Sequence, residues 1–168
     1  TQSKSSAASD VYKRQANYST VWGVIIGSGF GGSFVHNKRV VEGVNQVAGD
    51  WGHQPLPYPR KEEWDLNLKC PVDNCGRPLC AEQFISGIGF TSIFNKKYKT
   101  NFTTKEIVDL ELNGDERAKK EFDLYEDRFA RLIAVMIGIV DPDVIILGGG
   151  MSNICLLYTS DAADDFDC

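Results

Sequence analysis

The sequence predicts an α/β domain. Three observations point to it: a strand–glycine–strand unit near the start, helical periodicity through the middle, and a last apolar strand that ends in three glycines. Val21–Ile26 is a short apolar run leading into Gly27–Gly32, "GSGFGG", and the following "SFVHNKRVVEG" reads as two strands across a turn at His36–Lys38. From Gly43 to Leu79 the chain is rich in Gly, Pro and Trp without a sustained period, so a long loop is expected, of a length usually kept for function. Ala81–Asn95 suits a helix. Thr103 with Glu106 three residues on forms a capping box that opens a second. A third, longer helix is expected from Asp115 to Val140, with Phe122, Tyr125, Phe129, Ile133, Met136 and Val140 recurring at three and four along one buried stripe. "DPD" at Asp141–Asp143 stops it. Val144–Leu147 is then an unbroken apolar strand of the kind buried in a parallel sheet, followed by Gly148–Gly150.

The two ends read differently from this core. Ser5–Gln15 and Cys155–Asp164 match the translations, from opposite strands, of one DNA string that resembles a transposon-type sequencing adapter. Residues 1–15 and 155–168 are accordingly set aside as non-native, and residues 16–154 are expected to be part of a longer protein. The whole chain has a formal net charge of −5, and the core is mildly acidic, so it offers no basic face for nucleic acid. It has no apolar run near the ~20 residues of a membrane span. The core's cysteines are Cys70, Cys75 and Cys80, an odd number that cannot close on itself as disulfides. That favours a reducing compartment, the cytoplasm, and a metal or thiol role.

Glycines after a strand either turn a tight hairpin or let successive N–H groups converge on an anion such as a phosphate. A dinucleotide fingerprint needs a helix after the glycines, and here a second strand follows; no Gly-Lys-Ser/Thr of a Walker A loop follows either. The strand–loop–strand context suits the phosphate hairpins of actin-like ATPases. "ILGGGMSN" reads as a second such loop or as an ordinary strand end. For the cysteines, His53 supplies a fourth donor: one nitrogen and three sulfurs suit tetrahedral, structural zinc. Three reduced thiols beside a solvated histidine are the competing reading; Cys-x-x-Cys redox chemistry has no pair to use. Asp50, His53 and Glu82 flank the same loop, as hydrogen-bonding groups for sugar hydroxyls or as plain solvated surface. His36 reads as an ordinary hairpin-turn residue.

"GVIIGSGFGGSFVHNKRVVEGVNQVAGDWGH", "CGRPLCAEQFISGIGF" and "DPDVIILGGGMSN" together resemble the ROK family of sugar kinases and sugar-responsive repressors, most of all its fructokinase and manno(fructo)kinase members. The resemblance implies an actin-like (ribonuclease H-like) kinase fold, present here in part, with a zinc-braced loop. It implies that Gly27, Ser28, Gly29, Gly31 and Gly32 hold ATP phosphates, that Gly148, Gly149 and Gly150 lie near the adenosine, and that magnesium accompanies the ATP. Asn45, Asp50, His53 and Glu82 would line the sugar site, and His53, Cys70, Cys75 and Cys80 would take zinc. The expected reaction is transfer of the ATP γ-phosphate to a hexose, fructose first, by a homo-oligomer when full length.

Three departures accompany the resemblance. The family's catalytic aspartate lies upstream of the first glycine loop and has no counterpart here, so no catalytic residue is assigned and this chain alone is expected to be inactive. Asp50 stands where the family usually has glutamate. Asp73 stands where the family's first cysteine usually lies, with Cys70 three residues earlier. The alternative function is a sugar-sensing repressor with a winged-helix domain before this portion, and a third is a zinc-stabilised sugar-binding module; the intact "GSGFGG" favours the kinase.

Overall fold

The computed structural model describes residues 18–66 and 75–153. Strands β1 (Thr20–Ile26) and β2 (Phe30–His36) form an antiparallel hairpin, with Ile26 opposite Phe30 and Val21 opposite Val35. The turn into β3 (Arg39–Val40) uses Asn37 and Lys38 at positive φ, 49° and 63°. That is the two-residue geometry whose twist matches the flanking strands. The third strand expected after this turn is therefore present, at a length of two residues.

Among the described residues, four of the five helices follow β3 in an order the sequence suggests, and one interrupts the expected loop. Helix α1 (Lys61–Asp65) lies within the stretch read as loop. The single helix expected over 81–95 is two: α2 (Ala81–Ile85) and α3 (Gly87–Tyr98), separated at Ser86, whose extended backbone (ψ 152°) lets its hydroxyl accept from Gly89 N–H as an N-cap. Gly89 could not carry a side chain there, because a Cβ would lie 2.2 Å from Gln83 O. Helix α4 (Thr104–Leu112) opens on the Thr103–Glu106 capping box, and α5 (Glu116–Val140) runs between an Asp115 N-cap and an Asp141 C-cap at φ 45°. Phe122, Tyr125, Phe129 and Met136 of its expected stripe are buried, as are Leu132 and, unexpectedly for their charge, Glu121 and Arg128.

Strand β4 (Val144–Gly148) returns parallel to β1, giving the order β3-β2-β1-β4. It sits at the sheet edge and is half-buried along its whole length, not enclosed as its apolar sequence suggests. Asp143 fixes its start: Oδ2 accepts from Ser19 and Thr20 N–H at 2.9 and 2.7 Å, and Asp143 N–H donates to Thr20 O. A short 3-10 turn, Gly150–Asn153, follows. One face of the sheet, through Trp22, Val24 and Ile26, packs with Phe84, Phe90, Phe94 and the α5 stripe in the main core; the other face holds Val21 and Val35 against Val144 and Ile146. Among the described residues no helix is long and apolar enough to cross a membrane.

Candidate functional site

Strands β1 and β4 are parallel, so both end on the same side of the sheet, where open α/β sheets present their ligand-binding loops. The turn between β1 and β2 is Gly27-Ser28-Gly29, closed by Gly27 N–H to Gly29 O at 2.9 Å. Gly31 and Gly32 belong to β2, not to this turn. Gly32 has a packing reason instead: a Cβ would lie 2.7 Å from Gly23 O and 2.9 Å from Trp51 Nε1. After β4, Gly149 adopts φ +95° with its Cβ position 2.4 Å from Ile26 O, so the second glycine loop lies directly on the end of β1. Gly87, the first residue of α3, donates its N–H to Gly27 O at 2.8 Å, and a Cβ on it would reach Met151 Sδ at 3.4 Å. The hairpin turn, the second glycine loop and the α3 start thus meet at one place.

The segment 49–53 is laid flat on β2. A Cβ on Gly49 would stand 2.8 Å from Gly32 O, and one on Gly52 only 2.1 Å from Phe30 O. Between the two glycines Trp51 turns inward, edge-on to Trp22 (5.6 Å) and against Phe30 (4.9 Å), and so seals the segment to the core. His53 follows. Leu56 N–H to Leu79 O and Ala81 N–H to Gln54 O then zip the incoming and outgoing arms of the long loop together, with Pro55 paired to Cys80.

This zipping brings His53, Cys75 and Cys80 together. One ligand atom of each lies within 4.8 Å of the others, with Cys80 Sγ 3.6 Å from His53 Nδ1. Cys80 is fully buried and Cys75 and His53 are partly so. Two thiols and an imidazole on two zipped arms fit the donor set of a zinc ion and leave one vertex to fill. Cys70, and its rival Asp73, lie outside the described residues.

Glu82, buried on α2, connects the two halves of the site. Its Oε1 accepts from Phe30 N–H at 3.0 Å, and its Oε2 lies 3.7 Å from His53 Nδ1. Asn45 and Asp50, by contrast, are on the solvent-exposed side of the 43–50 stretch, and no described contact gathers them with His53 and Glu82. His36 lies away from the site, between Thr20 Oγ1 (3.1 Å) and Asn37 Nδ2 (3.0 Å).

Sequence reasoning missed the anchor of the stretch that follows the incoming arm. Glu63 on α1, almost wholly buried, accepts from Arg128 Nε at 3.0 Å and from Arg131, whose Nη1 also donates to Pro57 O and Tyr58 O at 2.7 and 2.8 Å. Arg128 lies over the Phe84 ring at 5.2 Å. "RKEEWDLNLK" carries no periodic signal for this; the only available hint is Glu63 three residues after Arg60, whose N–H it caps at 2.7 Å.

The ROK family profile matches residues 3–162. The chain belongs to the ROK family. An N-acetyl-D-glucosamine kinase of Escherichia fergusonii is 34% identical over 142 residues, covering 84% of this chain and 47% of the relative. Among solved structures, a ROK hexokinase from Thermus thermophilus superposes with a TM-score of 0.74 at 21% identity, over 87% of this chain and 47% of that one. A ROK transcriptional regulator gives 0.68 at 19% identity, over 91% of this chain and 39% of its own. The fold is thus the actin-like α/β fold of ROK proteins, in part: this ROK chain spans about half the length of the curated relatives it matches.

Proposed function

We propose that this ROK chain is the nucleotide- and sugar-binding portion of an ATP-dependent hexose kinase. The observation that carries this is Glu82, whose carboxylate joins the glycine hairpin to His53 and so puts a phosphate-sized turn and a hydroxyl-binding cluster on one buried side chain. Phosphoryl transfer needs a held phosphate chain, a positioned hydroxyl and a base. In this reading the N–H groups of Ser28 and Gly29 face the ATP phosphates with magnesium, Gly27 closes the turn behind them through its bond to Gly29 O, Gly31 and Gly32 continue from the turn into β2, and Gly148, Gly149 and Gly150 lie by the adenosine. Glu82 accepts from a sugar hydroxyl, the ring N–H that a zinc-bound His53 keeps donates to one, and Asn45 and Asp50 close over the sugar from the exposed stretch. The base is an aspartate supplied upstream of this chain, so the 168-residue polypeptide itself is inactive.

His53, Cys75 and Cys80 hold zinc, with Cys70 as fourth ligand ahead of Asp73. With four protein ligands the ion has no open position, and its contribution is to fix the loop. The enzyme is cytoplasmic, where ATP is supplied and thiols stay reduced, and homo-oligomeric when complete. Residues 16–154 are its native part, and 1–15 and 155–168 derive from adapter DNA; the family match runs across both boundaries, so the sequence of the intact gene is the test.

For the substrate, the relative named above is an N-acetyl-D-glucosamine kinase and not a fructokinase. N-acetyl-D-glucosamine is therefore placed first. The test is a coupled ADP-release assay of the full-length protein against N-acetylglucosamine, glucose, mannose and fructose. Highest kcat/KM on N-acetylglucosamine is the expected result; highest on fructose returns the substrate to the first expectation, and no turnover with any hexose overturns the kinase. The likeness to a ROK regulator keeps a sugar-sensing repressor as second reading. Sugar-dependent DNA binding without ADP release would select it.

A further inference from the structure

Helix α2 and the first residue of α3 touch the glycine turn on its two flanks. Before the turn, Gly87 N–H, just past the end of α2, donates to Gly27 O at 2.8 Å; after it, Phe30 N–H donates to Glu82 Oε1 at 3.0 Å. Among the described residues the turn is otherwise closed by its own Gly27 N–H to Gly29 O bond. Gly27, Ser28 and Gly29 are only partly buried or exposed, a Cβ on Gly27 would meet nothing within 4 Å, and glycine-rich backbone has the largest conformational freedom to lose. Helix α2 is in turn fixed at its start by Cys80, its N-cap residue, which is bridged to Pro55 and stands 3.6 Å from His53 Nδ1. Glu82 N–H also donates to Gly52 O at 2.9 Å, so the backbone and the side chain of one residue grip the loop and the hairpin respectively.

We propose that Glu82 is a positioning residue for the Gly27–Gly29 turn: its Oε1 holds Phe30 N–H and, with the Gly87–Gly27 bond, makes the α2–α3 corner a strut that fixes the turn in an anion-receiving shape. The functional part rests on the kinase reading above; the mechanical part does not. A carboxylate that accepts from a backbone N–H forms a charge-assisted bond that is stronger than a neutral one. The amide it accepts from begins the strand leaving the turn, so its loss frees the turn on the side where Ser28 and Gly29 must be held. The same side chain faces His53 through Oε2, which places turn order and the His53–Cys80 cluster under one residue.

The experiment uses the full-length protein and three variants, Glu82→Leu, Glu82→Gln and Gly87→Pro, without sugar. Leu keeps bulk and removes the acceptor. Gln keeps an acceptor oxygen, and Pro, tolerated at the first helical position, removes the N–H and also crowds Gly27 O, which a Cβ on Gly87 would approach to 3.1 Å. Amide hydrogen exchange at Phe30 and titration with a non-hydrolysable ATP analogue are read separately. The expected result is exchange at Phe30 faster by about tenfold and analogue affinity weaker by about tenfold in Glu82→Leu, with both recovered to within about threefold in Glu82→Gln. Gly87→Pro should weaken the analogue while leaving Phe30 protected. Unchanged Phe30 exchange in Glu82→Leu overturns the proposal, as does equal damage in Glu82→Gln. If Glu82→Leu does not fold, unchanged analogue affinity in Gly87→Pro overturns the strut. Failure of the wild type to bind the analogue would instead sink the kinase reading, and the exchange measurement would still decide the positioning role.

Discussion

Arg128 donates through Nε to Glu63 Oε1 at 3.0 Å, and both side chains are withdrawn from solvent. The pair ties α1, which follows the incoming arm of the long loop, to the middle of α5 at a separation of 65 residues. Removing one member leaves a buried guanidinium uncompensated. Glu63→Leu should therefore cost about 3–5 kcal/mol of stability. Denaturant unfolding checks it, and a loss below 1 kcal/mol, on the order of a surface pair, would refute the anchoring role.

The same carboxylate should make stability fall in acid. Burial raises the Glu63 pKa, but hydrogen bonds from Arg131, from Arg60 N–H and from Arg128 outweigh it and hold the group below its ordinary value of 4.5. A depressed folded-state value contributes stability above the unfolded-state value and loses it as pH falls through the folded one. The melting temperature should thus drop as pH falls below 4.5, and the drop should be smaller in Glu63→Gln. Equal acid sensitivity in both proteins would remove Glu63 from the account.

Gly52→Ala should be destabilising because its Cβ would sit 2.1 Å from Phe30 O, a backbone atom that cannot step aside. The expected cost is about 1–3 kcal/mol, with loss of metal binding as the loop lifts from β2. Gly138→Ala is the control. It lies within α5 with nothing within 4 Å of the added carbon, and there the change should stabilise by about 0.5–1 kcal/mol. A melt that moves the same way in both variants would contradict the close-approach reading.

Zinc stoichiometry by native mass spectrometry tests the metal cluster. Cys80→Ser should abolish binding, since the buried Cys80 Sγ stands 3.6 Å from His53 Nδ1. Cys70→Ser should lose metal and Asp73→Ala retain it. The reverse pattern would move the fourth vertex to Asp73, and full occupancy in Cys80→Ser would sink the site.

In the full-length protein, Asp50→Ala should lower kcat/KM for the preferred hexose by the equivalent of about 1.5–3 kcal/mol, the loss of a charged hydrogen-bond partner, while Asp50→Glu retains most activity. Because the Asp50 side chain is exposed, protein stability should stay the same in both. Unchanged kcat/KM in Asp50→Ala with every sugar would take this residue out of the site.

What the sequence shows best is local. The glycine hairpin, the Thr103–Glu106 box and the α5 stripe each depend on neighbours within a few residues, so composition and spacing suffice. The Ser86 break was also written locally, as a capping residue followed by two glycines in one turn, yet the apolar residues around it read as one continuous helix. Glu63 was not legible, since its partners are contributed by a helix far along the chain and a charged loop residue looks solvated without them. The edge position of β4 depends on what pairs with it, which no apolar run can state. In the site, residue types were enough to assemble His53, Cys75 and Cys80, whereas the bond from Phe30 N–H to Glu82 is a backbone contact that no side-chain pattern announces.

The clamp between Thr20 and Asp143 spans 123 residues, and this has a consequence for biosynthesis. At ~5–20 residues per second the ribosome needs on the order of ten seconds between releasing the first partner and the second. The hairpin closes in about 1–10 μs and so waits, in a nascent chain, with the outer edge of β1 bare. Its unpaired N–H and C=O groups, flanked by Val21 and Val24, are then open to capture by another strand. Folding yield should accordingly respond to translation speed and to chaperones that shield strand edges, well before any ligand is met.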